Sequence, residues 1–231
     1  MKKERLQIGR IPALLWGDPS DRLYLCLHGQ GGCKEEAENL SSIACPAGWQ
    51  VLSIDLPGHG ERQDETDSFD PWHVVPELRL VMQYAGANWN ETALFANSIG
   101  AWFAMLAFGE AALTRCLMVS PVLNMARLIE TMMGWAGVTE GQLRQERIIP
   151  TAFGQTLSWE YLTFARNHPI TDWKPPTAIL YAGRDNLTER SVVDGFARQF
   201  HCRLTVMEDG EHWFHTPEQL EVLTRWVKQN I

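Results

Sequence analysis

Short apolar runs of β-type residues alternate with helical segments along most of the chain. The clearest run covers residues 23–27, and residues 92–96 and 178–181 form runs of the same type. Continuous apolar strands are typical of a parallel sheet that is buried on both faces, and the helices between them supply the crossovers. The alternation therefore predicts an α/β fold with a mostly parallel central sheet flanked by helices.

The alternation breaks down between residues 121 and 173, where helical segments follow one another without strand-like runs. The predicted helices there lie near residues 125–133, 140–146 and 159–167. Strand-like runs resume afterwards and continue to the last helix. We therefore expect residues 1–231 to form a single domain, with a small helical cap inserted at residues 121–173.

Charge and cysteine usage narrow the class of protein. The chain carries 20 Lys and Arg against 28 Asp and Glu, a formal net charge of −8, which disfavours binding to nucleic acid. No apolar run reaches the about 18 residues that a membrane span needs, and residues 11–16 are too few for a signal peptide. The 5 cysteines form an odd set without a CxxC pair, which is typical of reduced thiols. These features predict a soluble cytoplasmic protein.

A candidate nucleophile lies between a predicted strand and a predicted helix, in Asn97-Ser98-Ile99-Gly100. A serine on a sharp strand-to-helix turn needs small neighbours, because the backbone doubles back tightly. Gly100 and the alanine at position 96 are small enough. The alternative is that Ser98 or Asn97 only caps the helix that follows.

Two further residues suit a Ser-Asp-His arrangement. Asp185 follows the strand-like run at residues 178–181, and His212 follows the run at residues 204–207. A hydroxyl becomes a strong nucleophile when a neutral imidazole accepts its proton and a carboxylate orients that imidazole. Open α/β sheets place such groups at the carboxyl ends of their strands. A free imidazole has a pKa of about 6.5, so activity should rise with pH through neutrality.

Four further residues have side chains that could take part in catalysis or ligand binding. His215 is an alternative base, but it precedes a predicted helix cap. Asp55 and His59 lie on a glycine-rich loop, where turn geometry is the simpler explanation, and His28 suits structural support of the neighbouring loop. The histidines have no metal-ligand spacing, and no phosphate-binding loop is present. The sequence thus predicts neither a metal nor a cofactor.

Four motifs in the same order resemble the α/β-hydrolase superfamily. They are Leu-His-Gly-Gln-Gly-Gly at residues 27–32, Asp-Leu-Pro-Gly-His-Gly at residues 55–60, the turn at Ser98, and the loops of Asp185 and His212. The chain is similar to the carboxylesterase, monoacylglycerol-lipase and serine-aminopeptidase groups of that superfamily, from about residue 23 onward.

The chain departs from the family pattern at two places. Ala96 stands where the turn usually begins with glycine, and Glu61-Arg62 replaces the usual residue and serine after Gly-His-Gly. Neither departure removes a group with a catalytic role.

The resemblance implies a role for each motif residue. Ser98 would be the nucleophile, His212 the general acid and base, and Asp185 the residue that orients His212. The backbone N–H groups of Gln30 and Ile99 would form the oxyanion hole, which stabilises the charge that develops on the carbonyl oxygen.

Large apolar side chains in the predicted cap suggest the kind of substrate. Most of them should pack the cap onto the sheet, but some should line an apolar pocket over Ser98, and we assign Trp102, Trp159 and Trp213 to it. The predicted function is hydrolysis of a small to medium hydrophobic ester. An aminopeptidase, a thioesterase, a C–C hydrolase and a non-catalytic ligand-binding protein remain alternatives on the same fold.

Overall fold

The structure of the protein, a computed structural model, describes residues 1–231. Its strands, in chain order, are Lys3–Ile8 (β1), Ile11–Trp16 (β2), Arg22–Leu27 (β3), Gln50–Ile54 (β4), Glu91–Asn97 (β5), Leu113–Val119 (β6), Ile148–Pro150 (β7), Thr156–Ser158 (β8), Thr177–Ala182 (β9) and Arg203–Met207 (β10). Its α-helices are Ala37–Ala44 (α1), Pro71–Asn88 (α2), Ile99–Phe108 (α3), Met125–Ala136 (α4), Glu140–Glu146 (α5), Trp159–Asn167 (α6), Arg190–Gln199 (α7) and Pro217–Asn230 (α8).

Eight of the strands form one central sheet in the order β1-β2-β4-β3-β5-β6-β9-β10. The pairs β1–β2 and β2–β4 are antiparallel, whereas every pair from β4 to β10 is parallel. The predicted α/β fold with a mostly parallel sheet is therefore confirmed. β10 is an edge strand and has β9 as its only neighbour in the sheet.

Apolar side chains fill both faces of the sheet. In β3, Leu23, Leu25 and Leu27 face one cluster, and Tyr24 and Cys26 face the other, because successive side chains of a strand point in opposite directions. The first cluster packs against α2, α3 and α7, and the second packs against α1 and α8. Burial on both faces explains why the central strands are apolar at nearly every position.

Side-chain caps stabilise the first turns of several helices. Asp70 accepts a hydrogen bond from the backbone N–H of His73 at the start of α2, and Thr216 with Gln219 forms a capping box on α8. α2 begins at Pro71 and continues through Pro76 without a break, although Pro76 cannot donate an intrahelical hydrogen bond.

The segment between β6 and β9 contains α4, α5 and α6, close to the predicted positions. It also contains the antiparallel hairpin β7–β8, which a purely helical cap would lack. Each hairpin strand has only 3 residues, and such short strands carry almost no alternation of apolar and polar positions. The helical prediction for this segment is therefore incomplete.

Candidate active site

Ser98 lies on the sharp turn between β5 and α3. Its backbone has φ 48° and ψ −122°, which is unusual for a residue with a side chain. The turn packs so tightly that a Cβ atom at Gly100 would collide with the carbonyl oxygen of His28. Ala96, just before the turn, is fully buried, so alanine fits where the family usually has glycine. The strained turn holds the Ser98 hydroxyl at the carboxyl end of the sheet.

The structure brings Ser98, His212 and Asp185 together. Ser98 Oγ lies 2.8 Å from His212 Nε2, and His212 Nδ1 lies 2.7 Å from Asp185 Oδ2. The Asp185 side chain has no solvent exposure, and that of His212 is 17% exposed. Because an ionised carboxylate can only accept, His212 Nδ1 carries the proton of that bond. Nε2 of the neutral ring is then free to accept the Ser98 proton.

Asp185 is held by its own loop as well as by His212. Its Oδ1 accepts hydrogen bonds from the backbone N–H groups of Leu187, at 2.8 Å, and Thr188, at 3.0 Å. One carboxylate oxygen therefore serves the loop and the other serves the imidazole. This division fixes the carboxylate in the orientation that His212 requires.

The alternative base, His215, has other partners. Its Nδ1 donates to the carbonyl oxygen of Trp213 at 2.6 Å, and its Nε2 lies 3.6 Å from Glu211 Oε2. The imidazole within hydrogen-bonding distance of Ser98 belongs to His212.

The loop after β3 lies against the turn that carries Ser98. A Cβ atom at Gly29 would be 3.1 Å from the Cβ atom of Ser98, so the two backbones are in close contact. The backbone N–H of Gln30 donates to no other backbone group, and Ile99, as the first residue of α3, has no intrahelical acceptor for its own. The side chain of Gln30 donates to Gln155 Oε1 at 3.0 Å, which connects this loop to the β7–β8 hairpin.

His28 joins this loop to the one that follows β4. Its Nδ1 donates to the carbonyl oxygen of Gly29 at 2.7 Å, and its Nε2 accepts from the backbone N–H of Leu56 at 3.1 Å. Burial lowers the pKa of His28 to about 4, so the ring is neutral near pH 7 and can make both bonds. The supporting role predicted for His28 agrees with these contacts.

A buried ion pair lies beneath the same loops. Asp55 Oδ2 accepts from Lys34 Nζ at 2.6 Å, and Asp55 also accepts from the backbone N–H groups of Lys34 and Glu61. Burial alone would raise the pKa of Asp55, but these hydrogen bonds hold it below its usual value. The sequence pattern of residues 34–44 predicts a helix and gives no sign of this ion pair. The first three of these residues form a 3-10 turn, in which Lys34 is buried.

The three tryptophans assigned to the pocket differ in exposure. Trp102 is 2% exposed and packs against Phe103 and Tyr161, whereas Trp159 is half-buried. Trp213 is 75% exposed and follows His212 directly. The structure therefore places Trp102 in the packed interior and leaves Trp213 open to solvent.

The structure shows neither a metal-binding cluster nor a membrane-spanning helix. Nowhere in residues 1–231 do three His, Cys, Asp or Glu side chains come together in a way that could hold a metal ion. No helix of the structure has both the length and the apolar character needed to cross a membrane.

Comparison with known proteins identifies the family. The sequence model of the alpha/beta hydrolase family matches residues 24–224. The chain belongs to this family. An esterase of Mycobacterium tuberculosis is 40% identical to this alpha/beta hydrolase over 57 residues, which are 25% of this chain and 18% of the esterase. The match thus spans under a fifth of that relative.

Two solved structures share the fold of this alpha/beta hydrolase along its whole length. Est1E from Butyrivibrio proteoclasticus has a TM-score of 0.79 at 18% identity, with 100% of this chain and 97% of Est1E covered. Alpha/beta hydrolase domain-containing protein 10 from mouse has a TM-score of 0.81 at 9% identity, with 100% and 98% covered. At these identities the similarity shows the fold alone.

Proposed function

We propose that this alpha/beta hydrolase is a serine hydrolase that cleaves small to medium hydrophobic carboxylic esters through an acyl-enzyme. The observation that carries the proposal is the hydrogen-bonded path from the Ser98 hydroxyl through His212 to the buried Asp185. In such a path, the imidazole accepts the hydroxyl proton and the carboxylate stabilises the imidazolium that forms. Family membership and the short match to an esterase support hydrolytic chemistry.

The reaction would proceed in two halves. In the first, Ser98 Oγ attacks the ester carbonyl while His212 Nε2 accepts its proton, and His212 then protonates the leaving alcohol as the C–O bond breaks. In the second, His212 accepts a proton from water, and the water oxygen attacks the acyl group on Ser98. The carboxylic acid leaves when His212 returns the proton to Ser98 Oγ.

We assign the oxyanion hole to the backbone N–H groups of Gln30 and Ile99. The contact of the Gly29 backbone with Ser98, the position of Ile99 directly after Ser98, and the absence of a backbone acceptor for the Gln30 N–H support the assignment. Losing one such donor typically costs about 3–4 kcal/mol of transition-state stabilisation. Side-chain substitution at Gln30 keeps the N–H, so Gln30→Ala should reduce kcat far less than Ser98→Ala does.

We further propose that aromatic side chains shape the acyl and alcohol subsites. Trp159 and Trp213 retain exposed surface for substrate contact, and the buried Trp102 would shape the wall through its packing with Tyr161. A series of p-nitrophenyl esters from acetate to octanoate tests this pocket. An apolar pocket of limited size predicts a maximum of kcat/KM within the series, and equal values throughout would contradict it.

Two of the four cap glutamates weigh against the aminopeptidase alternative, whereas Glu146 and Glu160 form no ion pair and leave it to experiment. A free α-amino group needs an unpaired carboxylate over the site, yet Glu130 and Glu140 both bind Arg166, at 2.8 and 2.9 Å. Comparing p-nitrophenyl butyrate with an aminoacyl arylamide and an acyl thioester separates esterase from aminopeptidase and thioesterase. Faster turnover of the arylamide or the thioester would replace the esterase proposal.

Covalent labelling of Ser98 provides the direct test. A fluorophosphonate probe should label the wild type, and Ser98→Ala should abolish labelling and lower kcat by about 10⁶-fold. The matched control is Ser42→Ala, because the Ser42 hydroxyl bonds only to a carbonyl of its own helix. Labelling that survives Ser98→Ala would contradict the assignment, and an unlabelled wild type would favour a ligand-binding protein instead.

The pH profile tests the proposed base. Only a neutral imidazole can accept the Ser98 proton, so kcat/KM should rise as the pH increases from acid to neutral values. A flat profile would contradict His212 as the base.

We also propose the cytoplasm as the location, because all five cysteines are free thiols.

A further inference from the structure

The nucleophile and the acid do not lie on neighbouring strands. Ser98 follows β5 and Asp185 follows β9, and β6 lies between these two strands in the sheet. The residues that leave the carboxyl end of β6, residues 120–122, therefore occupy the space between the two catalytic loops. We name this segment the bridging turn.

The bridging turn is hydrogen-bonded to both sides. The backbone N–H of Val122 donates to the carbonyl oxygen of Ser98 at 3.0 Å. On the other side, the carbonyl oxygen of Pro121 accepts from the hydroxyl of Thr188 at 3.1 Å. The Ser120 backbone, with φ 42°, takes a conformation that is unusual for a residue with a side chain and redirects the chain into this position.

Thr188 uses each of its polar groups. Its N–H donates to Asp185 Oδ1 at 3.0 Å, its carbonyl oxygen accepts from the Tyr181 hydroxyl at 2.8 Å, and its own hydroxyl donates to Pro121. Thr188 is 5% exposed and Val122 is 1% exposed, so water cannot easily replace these bonds.

The contacts form a closed ring. One path runs from Ser98 through His212 to Asp185, and the other returns from Asp185 through Thr188 and the bridging turn to Ser98. The first path carries the proposed proton transfer, and the second contains no titratable group. The second path can therefore fix the distance between nucleophile and acid without taking part in the chemistry.

We propose that Thr188 is a positioning residue whose hydroxyl, through the bridging turn, sets the placement of Asp185 relative to Ser98. The inference rests on the proposed serine hydrolase function. Thr188 bonds to the acid and not to the site where a substrate would bind, so its hydroxyl affects the rate of the chemical step rather than substrate affinity. A displacement of about 1 Å at a catalytic group can cost about 100-fold in rate.

The chain offers a matched control for this residue. Thr177, at the amino end of β9, is 8% exposed, and its hydroxyl donates to the carbonyl oxygen of Pro175 at 2.8 Å. It also accepts from Trp173 Nε1 at 2.8 Å. Thr177→Val thus removes a buried threonine hydroxyl from a proline carbonyl, as Thr188→Val does, but at the opposite end of the strand.

The experiment compares kcat, KM and the melting temperature of Thr188→Val, Thr188→Ser and Thr177→Val on a p-nitrophenyl ester. Thr188→Val should lower kcat about 10- to 100-fold with KM changed less than about twofold, and Thr188→Ser should restore most of kcat. Thr177→Val should lower the melting temperature and keep kcat. Wild-type kcat in Thr188→Val, or an equal loss in Thr177→Val, would overturn the inference.

Two additions make the outcome decisive. If Thr188→Val does not fold, Tyr181→Phe is the second variant, because it removes the hydroxyl that donates to the Thr188 carbonyl oxygen. Tyr181→Phe should lower kcat by a smaller factor, again with little change in KM. An unchanged kcat in this variant would overturn the inference. A wild type with neither turnover nor labelling refutes the proposed function instead. The downfield NMR signal of the His212 Nδ1 proton then still tests the inference. Thr188→Val should shift or broaden this signal, and Thr177→Val should leave it unchanged. An unchanged signal in Thr188→Val would overturn the inference.

Discussion

Asp55 and Asp185 are two aspartates with fully buried side chains at the carboxyl end of the same sheet. Asp55 pairs with the ammonium group of Lys34, whereas Asp185 faces an imidazole and two backbone N–H groups. A buried charge with a fixed opposite charge contributes to holding loops together. A buried charge beside a group that can gain a proton is ready to stabilise that proton. Equal burial therefore serves stability at one position and proposed chemistry at the other.

Replacing each aspartate by asparagine tests this comparison directly. The largest effect is expected on kcat of the Asp185→Asn variant. Asp185→Asn keeps an oxygen for the Leu187 and Thr188 N–H groups but presents an amide N–H to His212 Nδ1, which favours the wrong tautomer. We expect kcat for an ester to fall about 10⁴-fold with little change in the melting temperature. A fall of less than tenfold would contradict the assigned role.

Asp55→Asn should have the opposite profile. The amide leaves the Lys34 ammonium group buried, with only Glu35 and Glu61 as negative partners. We expect a loss of about 3 kcal/mol in the free energy of unfolding, measured with urea, while kcat of the folded fraction falls less than about tenfold. Asp209→Asn is the control, because its pair with Arg184 is exposed and should contribute under about 1 kcal/mol. An equal loss in both variants would contradict the comparison.

The buried His28 makes the free energy of unfolding depend on pH. Its pKa is about 4 in the folded protein, against about 6.5 in the unfolded chain, so the unfolded state binds more protons between these values. Stability should therefore decrease as the pH falls from about 6.5 to 4, by at most about 3 kcal/mol from this residue. His28→Gln should remove this part of the pH dependence in urea titrations, and the exposed His168→Gln should retain it. Identical pH dependence in wild type and His28→Gln would contradict the assignment.

The smallest effect is expected for the ion pair of Arg127 with Glu189, next to Thr188. Its N···O distance is 2.9 Å, but both side chains are about half exposed. Arg127→Ala should change the free energy of unfolding by under about 1 kcal/mol and kcat by less than about twofold. A larger fall in kcat would mean that this exposed pair, rather than the Thr188 hydroxyl, holds the acid loop.

Much of the sheet and the three proposed catalytic residues could be predicted from the sequence. Continuous apolar strands such as β3 and β9 have few other possible structures, and parallel strands bring the residues after their carboxyl ends together. Ser98, Asp185 and His212 each follow a parallel strand of the predicted sheet, although β10, before His212, is less apolar than β3 and β9. Their meeting was therefore predictable from the sequence.

Other features depend on contacts that leave no local pattern. In the sequence, Lys34 is an ordinary helix residue and Thr188 an ordinary loop residue. Only the fold brings Lys34 to Asp55 and Thr188 to the carbonyl oxygen of Pro121. The β7–β8 hairpin is too short to show a strand pattern. Trp102 is predicted to line the pocket, but packing against the aromatic rings of α6 buries it.

The position of β10 at the sheet edge affects the order in which activity and tertiary structure are lost on heating. The loop that carries His212 leaves an edge strand whose residues are partly exposed and hydrogen-bonded on one side only. Local opening starts where few contacts oppose it, so the amides of β10 should exchange with deuterium sooner than those of β3 or β5. On warming, His212 would then lose its alignment before the central strands separate, and activity would decline at temperatures where the rest of the sheet is still intact.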